Sequence, residues 1–154
     1  MKEIIIMSDM KVQEDDWVPD RDQLLDSSGK PMTQTLFLET TYSPAAIYTL
    51  KDVSHLYKGK TYPSIKQLYI KMEDPAEYEF ANKYFLGWNH WMRIYANKLL
   101  QPHIDEWRYE LELKVRSRAV KQFQMQAKKG SIQAIKWLAE KGWDNRTAGR
   151  PSKE

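Results

Sequence analysis

The side chains best suited to chemistry in this sequence are three histidines, two runs of adjacent carboxylates and a strongly basic C-terminal half. His55, His90 and His103 stand apart from one another. None is paired at the helical spacing that sets two imidazoles and an acid around zinc. A solitary histidine is usually structural or exposed. Glu14-Asp15-Asp16 and Asp105-Glu106 offer neighbouring carboxylates to a divalent ion. The first run lies in an acidic stretch, and the second in the first turn of an expected helix, where negative charge complements the dipole. The Gly-Lys dipeptides at Gly29 and Gly59 lack the glycines and the hydroxyl residue of a phosphate loop. No serine sits in a nucleophile elbow. With no cysteine, thiolate nucleophiles, Cys-ligated metals and disulfides are excluded together. The expectation is a protein that is not an enzyme and uses no cofactor or metal.

The remaining chemistry is charge. A formal net charge of +3 conceals an asymmetry: residues 1–40 carry nine acidic and four basic side chains, residues 41–154 twelve and twenty. Residues 114–153 hold eleven Lys and Arg against Glu140 and Asp144. Such a segment has an electrostatic reason to meet a polyanion, since each cation that neutralises a phosphate releases condensed counterions. It also suits a solvated helix face. The candidate DNA contacts are Lys58, Lys60, Lys66, Lys71 and Lys83 in the middle of the chain, with Asn82 beside them. Further along they are Lys114, Arg116, Arg118, Lys121, Lys128 and Lys129, then Arg146, Arg150 and Lys153 at the end. Gly149-Arg150-Pro151 resembles the core of an AT-hook, whose arginine lies in the narrow minor groove, although a full hook has an Arg where Ala148 stands. Trp88 and Trp91 are read as core residues continuing a stripe from Phe80 and Tyr84, with base stacking as the alternative.

These side chains need elements to carry them. Residues 1–40 lack helical periodicity, and Pro19, Asp26-Ser27-Ser28-Gly29 and Pro31 break them up. They read as an acidic, loosely structured arm with brief extended pieces at 3–7 and 35–38. Residues 41–100 read as a helix-turn-helix-like region. Leu50, Val53, Leu56 and Tyr57 imply a helix over 48–57, ended by Lys58-Gly59-Lys60. A second helix opens at Pro63 and carries Ile65, Leu68, Tyr69 and Met72 on one stripe. Asp74-Pro75-Ala76-Glu77 signals the start of a third, running to about residue 97 with a weak point at Gly87. Residues 101–142 read as a hairpin of helices. One runs from Pro102 to Lys129, Gly130 closes it, and Ser131 caps the next. Trp107, Leu111, Val115 and Phe123 provide an apolar face for oligomerisation. Residues 143–154 form a basic tail. The fold class expected is therefore mainly α. The longest early apolar run, 4–7, is too short for a signal peptide or a membrane span, which places the protein in the cytoplasm, away from any membrane.

Three stretches resemble the small terminase subunits of tailed bacteriophages. They are Tyr62-Pro63-Ser64-Ile65-Lys66-Gln67-Leu68-Tyr69, then Asp74-Pro75-Ala76-Glu77-Tyr78-Glu79-Phe80-Ala81 leading to Gly87-Trp88-Asn89-His90-Trp91, and the Gly130-Ser131 helix through Gly142-Trp143 to Gly149-Arg150-Pro151-Ser152-Lys153. The resemblance implies a ring-shaped homo-oligomer in the host cytoplasm. That ring would bind double-stranded viral DNA at the packaging start and recruit the large terminase subunit, an ATPase-nuclease. Two features depart from the family: about forty acidic-rich residues precede the helical region, and no barrel-like segment follows the hairpin. Two other readings fit the residues: a dimeric helix-turn-helix regulator, and a helical protein-interaction module without a DNA role.

Overall fold

A computed structural model describes residues 17–147, with side chains through Asp144. It is mainly helical, at 58% helix, with a small two-stranded sheet. The chain divides into two compact units, one ending at Trp107 and the other beginning at Arg108.

The first unit starts earlier than expected. Residues 17–40, read as part of a loose arm, contribute Leu24, Leu36, Phe37 and Leu38 to the core, while residues 1–16 lie outside the described structure. The core residues of 17–40 follow neither helical nor strand period because Leu24 and Leu36 dock from 3₁₀ turns at Arg21–Leu24 and Gln34–Leu36, and Phe37 and Leu38 follow directly on the second. The expected turn at Asp26 is present. Its carboxylate takes the Lys30 amide and both the Ser28 amide and hydroxyl, bonds that hold it below the usual carboxylate range. The piece at 35–38 is not a strand: a single bridge pairs Phe37 with Tyr48, and the short helix α1 (Leu38–Thr41) follows at once.

No helix covers 48–57. That stretch leads into a hairpin of β1 (His55–Tyr57) and β2 (Lys60–Tyr62), with Leu56 opposite Thr61 and Tyr57 opposite Lys60. Lys58 and Gly59 form the two-residue loop, both at positive φ, 50° and 80°. This is the primed turn whose twist matches that of paired strands. Val53 and Leu56, the supposed inner stripe, are exposed.

Helix α2 (Ile65–Met72) begins two residues later than Pro63 proposes, because Ser64 is the N-cap and accepts from the Gln67 amide. The expected third helix is two. Asp74 does cap, accepting from the Glu79 and Phe80 amides at 2.9 and 3.1 Å, but helix α3 (Tyr78–Tyr84) starts only after Glu77. Glu77 turns inward at φ 67° and is buried, accepting from the Tyr69 hydroxyl (2.6 Å) and the Trp91 indole N–H (3.0 Å). The chain then breaks at Phe85 and Gly87, and helix α4 (Trp88–Ala96) follows. Gly87 adopts φ 123°, which a side chain would resist.

Aromatic rings fill the centre of this unit. Trp91 lies 5.0 Å from Phe80 and 5.2 Å from Phe85 by ring centroids, Phe85 meets Tyr48, and Tyr69 lies between Phe80 and Trp107. The Tyr48 hydroxyl donates to the Tyr84 carbonyl, and burial pushes its pKa well up. His90 fastens the N-terminal segment. Its Nδ1 accepts from the Leu86 amide, so Nε2 carries the proton and donates to the Met32 carbonyl at 2.6 Å. Burial lowers the His90 pKa, against the Met32 bond that raises it. Protonation would set an N–H of Nδ1 against the Leu86 N–H. Because the folded pKa lies below the ordinary 6.5, the stability tied to neutral His90 is complete above that pH and is lost as the pH falls towards the lowered value. Urea unfolding at pH 7.5 and pH 5 should show a fall in stability that is smaller in His90→Gln.

The second unit consists of the remainder of helix α5 (Gln101–Lys128), helix α6 (Ile132–Ala139) and a 3₁₀ segment, Gly142–Thr147. Gly130, at φ 94°, ends the long helix, and Ser131 caps α6 by accepting from Ala134. Trp137 stacks face to face on Phe123, 4.0 Å between centroids and 14° between planes, and Trp143 meets its edge at 6.0 Å. Gly142 closes this cluster: a Cβ there would lie 2.0 Å from the Trp137 ring. Gly142→Ala should expel the indole from Phe123 and cost about 1–3 kcal/mol, seen as a red shift in tryptophan emission and earlier thermal unfolding of this unit.

Candidate nucleic-acid interface

Helix α5 sorts its side chains by face. At 3.6 residues per turn, Lys114, Arg118, Lys121 and Lys128 fall within an arc of about 80° and span roughly 21 Å of axis, with Met125 among them, and Lys129 follows in the turn that ends the helix. The helical four are spaced by four, three and seven, which keeps them in register. No acidic residue lies between Glu112 and Glu140. On the far side of the helix, Tyr109, Leu113, Arg116, Val120, Phe123 and Ala127 recur at alternating steps of four and three, the spacing of an apolar seam. Trp137 covers this seam at Phe123. Arg116 therefore does not join the stripe and instead pairs with Glu112. Arg118, Lys121, Lys128 and Lys129 are exposed, and Lys114 is half-buried.

The candidates of the first unit do not gather on one element. Lys58 occupies the hairpin turn with its ammonium 5.4 Å from the Tyr57 ring. Lys60 donates to the Ala46 carbonyl and lies 5.0 Å from the Tyr62 ring. Lys66 is bridged to Asp52 at 3.0 Å. Lys71 stands in the last turn of α2, and exposed Lys83 lies beside Tyr84 on α3, next to exposed Asn82. The side chain of Arg146, and all of Arg150 and Lys153, fall outside the described residues, as does the Gly-Arg-Pro motif.

The oligomer candidates separate likewise. Trp107 and Leu111 are buried within the chain itself, Phe123 is occupied by Trp137, and Val115 is exposed. Of the two tryptophans read as core, Trp91 is, whereas Trp88 is exposed and meets Tyr78 at 6.3 Å. Lys136 and Lys141 are further exposed cations in the second unit. The sequence held their signal in the acid-poor composition of 114–153, without a face to assign them to.

A cavity of about 410 Å³ lined by Glu39, Thr40, Leu50, Lys51, Leu99 and His103 lies in the first unit. Its carboxylate is already engaged, by the Leu50 amide and the Thr49 hydroxyl. Among the described residues no three His, Asp or Glu side chains converge as metal ligands, and no helix is long and apolar enough to cross a membrane. No protein-family model, curated protein or solved structure matches the chain.

Proposed function

We propose that this chain is a DNA-binding adaptor of the small-terminase kind, without catalytic activity or cofactor. It would assemble as a ring in the host cytoplasm, hold viral double-stranded DNA near the packaging start and hand it to the large terminase subunit. The observation that carries the DNA reading is the stripe of four cations on one face of α5, continued by Lys129 in the turn after it, in a stretch without acidic residues. A stripe about 21 Å long can follow duplex phosphates across more than half a helical turn of about 34 Å. Five phosphate contacts predict that log K falls with log salt at a slope of about −4 to −5. Titration of labelled duplex from 50 to 200 mM salt tests this, and no binding even at the lowest salt overturns it. Oligomer mass by light scattering tests the assembly: several subunits support the ring, and a monomer removes it.

A further inference from the structure

A cluster of rings lies at the hairpin of the first unit. Tyr42 stands directly after α1 in the left-handed conformation, at φ 50°, with its amide bonded to the Leu38 carbonyl at 2.8 Å. Glycine is the usual residue at such a helix end, because a side chain resists that geometry. Here it is a tyrosine, 56% exposed, with its ring 5.4 Å from that of Tyr57 and 50° between the planes. Tyr57 is anchored from behind, since it packs on the buried cluster of Leu38, Ala46 and Tyr62. His55, two residues along β1 and so on the same side of the strand, lies 6.3 Å from it with 29° between the planes.

The charge around these rings has one sign. No Asp or Glu occurs between Glu39 and Asp52, nor between Asp52 and Glu73. The Glu39 carboxylate is taken up by the Thr49 hydroxyl and the Leu50 amide, and Asp52 is bridged to Lys66. Lys60, opposite Tyr57 in the hairpin, is spent on the Ala46 carbonyl. Lys58 is not: it is exposed at the turn, 5.4 Å from the Tyr57 ring, and enters no hydrogen bond or ion pair among the described residues. Exposed rings beside a spare cation, with no free carboxylate near them in the sequence, are complementary to a nucleotide, whose base has a π face and whose phosphate is an anion. In a duplex the faces of internal bases are already stacked, so the base that fits is an unpaired one.

We propose that Tyr42, supported by Tyr57 and His55, is a stacking platform for an unpaired nucleobase, and that Lys58 takes the adjoining phosphate. The ligand is single-stranded nucleic acid. This site goes beyond the duplex contact assigned to α5 and does not rest on it, because all four residues belong to the first unit.

The test titrates the full-length protein at 150 mM salt with two fluorescent strands of equal length and charge, an oligothymidylate and its abasic counterpart, read by anisotropy. The parent protein is expected to prefer the strand with bases by roughly 5- to 100-fold, the range for one stacked base. Tyr42→Gly, which suits the left-handed turn, is expected to lose that preference. Tyr42→Phe is expected to keep it, because stacking needs the ring and not the hydroxyl. Lys58→Gln should weaken both strands alike and lower the salt slope by about 0.7. Equal affinity of the parent for the two strands, a preference that survives in Tyr42→Gly, or one that vanishes in Tyr42→Phe overturns the platform. Repeating the titration with Lys121, Lys128 and Lys129 all changed to Gln separates this site from the α5 stripe. The preference for bases should persist there, and its disappearance would assign the contact to the second unit. Unchanged duplex binding by that variant would count against the stripe alone. Circular dichroism checks folding. Should Tyr42→Gly fail to fold, ultraviolet cross-linking of a 5-iodouracil strand to the parent protein decides: adducts on Tyr42 or Tyr57 support the platform, and adducts elsewhere or none overturn it.

Discussion

Replacing Lys121, Lys128 and Lys129 with glutamine is expected to weaken binding to duplex DNA by roughly 10²–10³-fold near 100 mM salt and to flatten the salt slope by about three. The three side chains are exposed, Lys121 and Lys128 on one face of α5 and Lys129 in the turn that follows, so the change removes charge and leaves packing alone. Two controls share the chemistry but not the placement. Lys66→Gln removes a cation already bridged to Asp52, and Arg116→Gln one already paired with Glu112 on another face. Both should keep the parental slope. If the triple variant binds as the parent does and Lys66→Gln does not, the interface belongs to the first unit.

The second large effect concerns stability. Trp91→Ala should destabilise the first unit by about 3–5 kcal/mol, a large share of the 5–15 kcal/mol typical of a domain. The indole is fully buried between Phe80 and Phe85, and its N–H is one of two side-chain donors seen on the buried Glu77 carboxylate. Truncation therefore opens a cavity and strips a hydrogen bond from a buried charge. Trp91→Phe keeps most of the volume and loses only the donor, so it should cost visibly less. Urea midpoints followed by circular dichroism separate the two. Equal midpoints would mean that the Glu77 bond, rather than the packing, dominates.

These residues also show what the sequence could and could not convey. The spacing of Ile65, Tyr69 and Met72 locates α2, and Gly130 followed by Ser131 marks the boundary of α5 and α6, because a cap and a period are local signals. The hairpin at 55–62 was hidden because Leu50, Val53, Leu56 and Tyr57 happen to fall at helical intervals. The Lys58-Gly59 pair that closes the hairpin served equally well as a helix end. Glu77 looked like the acid of a helix start. Its partners, Tyr69 and Trp91, lie eight residues before and fourteen after it, and that distant pair turns it inward and delays α3. The N-terminal core residues left no periodic signal because they dock from short 3₁₀ turns and the residues next to them. For the candidate interface, composition alone announced a basic half. Assigning the cations to faces took the helical geometry of α5, which put Arg116 on the seam and showed Trp107 and Leu111 already buried at home.

The clasp of the N-terminal segment orders events in time. Met32 waits for His90, 58 residues downstream, and Gln34 for Asn97, 63 residues downstream. At a synthesis rate of about 5–20 residues per second, these early side chains stay without their partners for roughly 3–12 s. Meanwhile Leu36, Phe37 and Leu38 are exposed on a nascent chain. The second unit, whose Phe123 and Trp137 are only fourteen residues apart, closes a loop that forms in well under a millisecond. Slowing elongation across residues 40–97 should therefore lower the yield of soluble protein, whereas the same slowing across residues 108–140 should leave it unchanged.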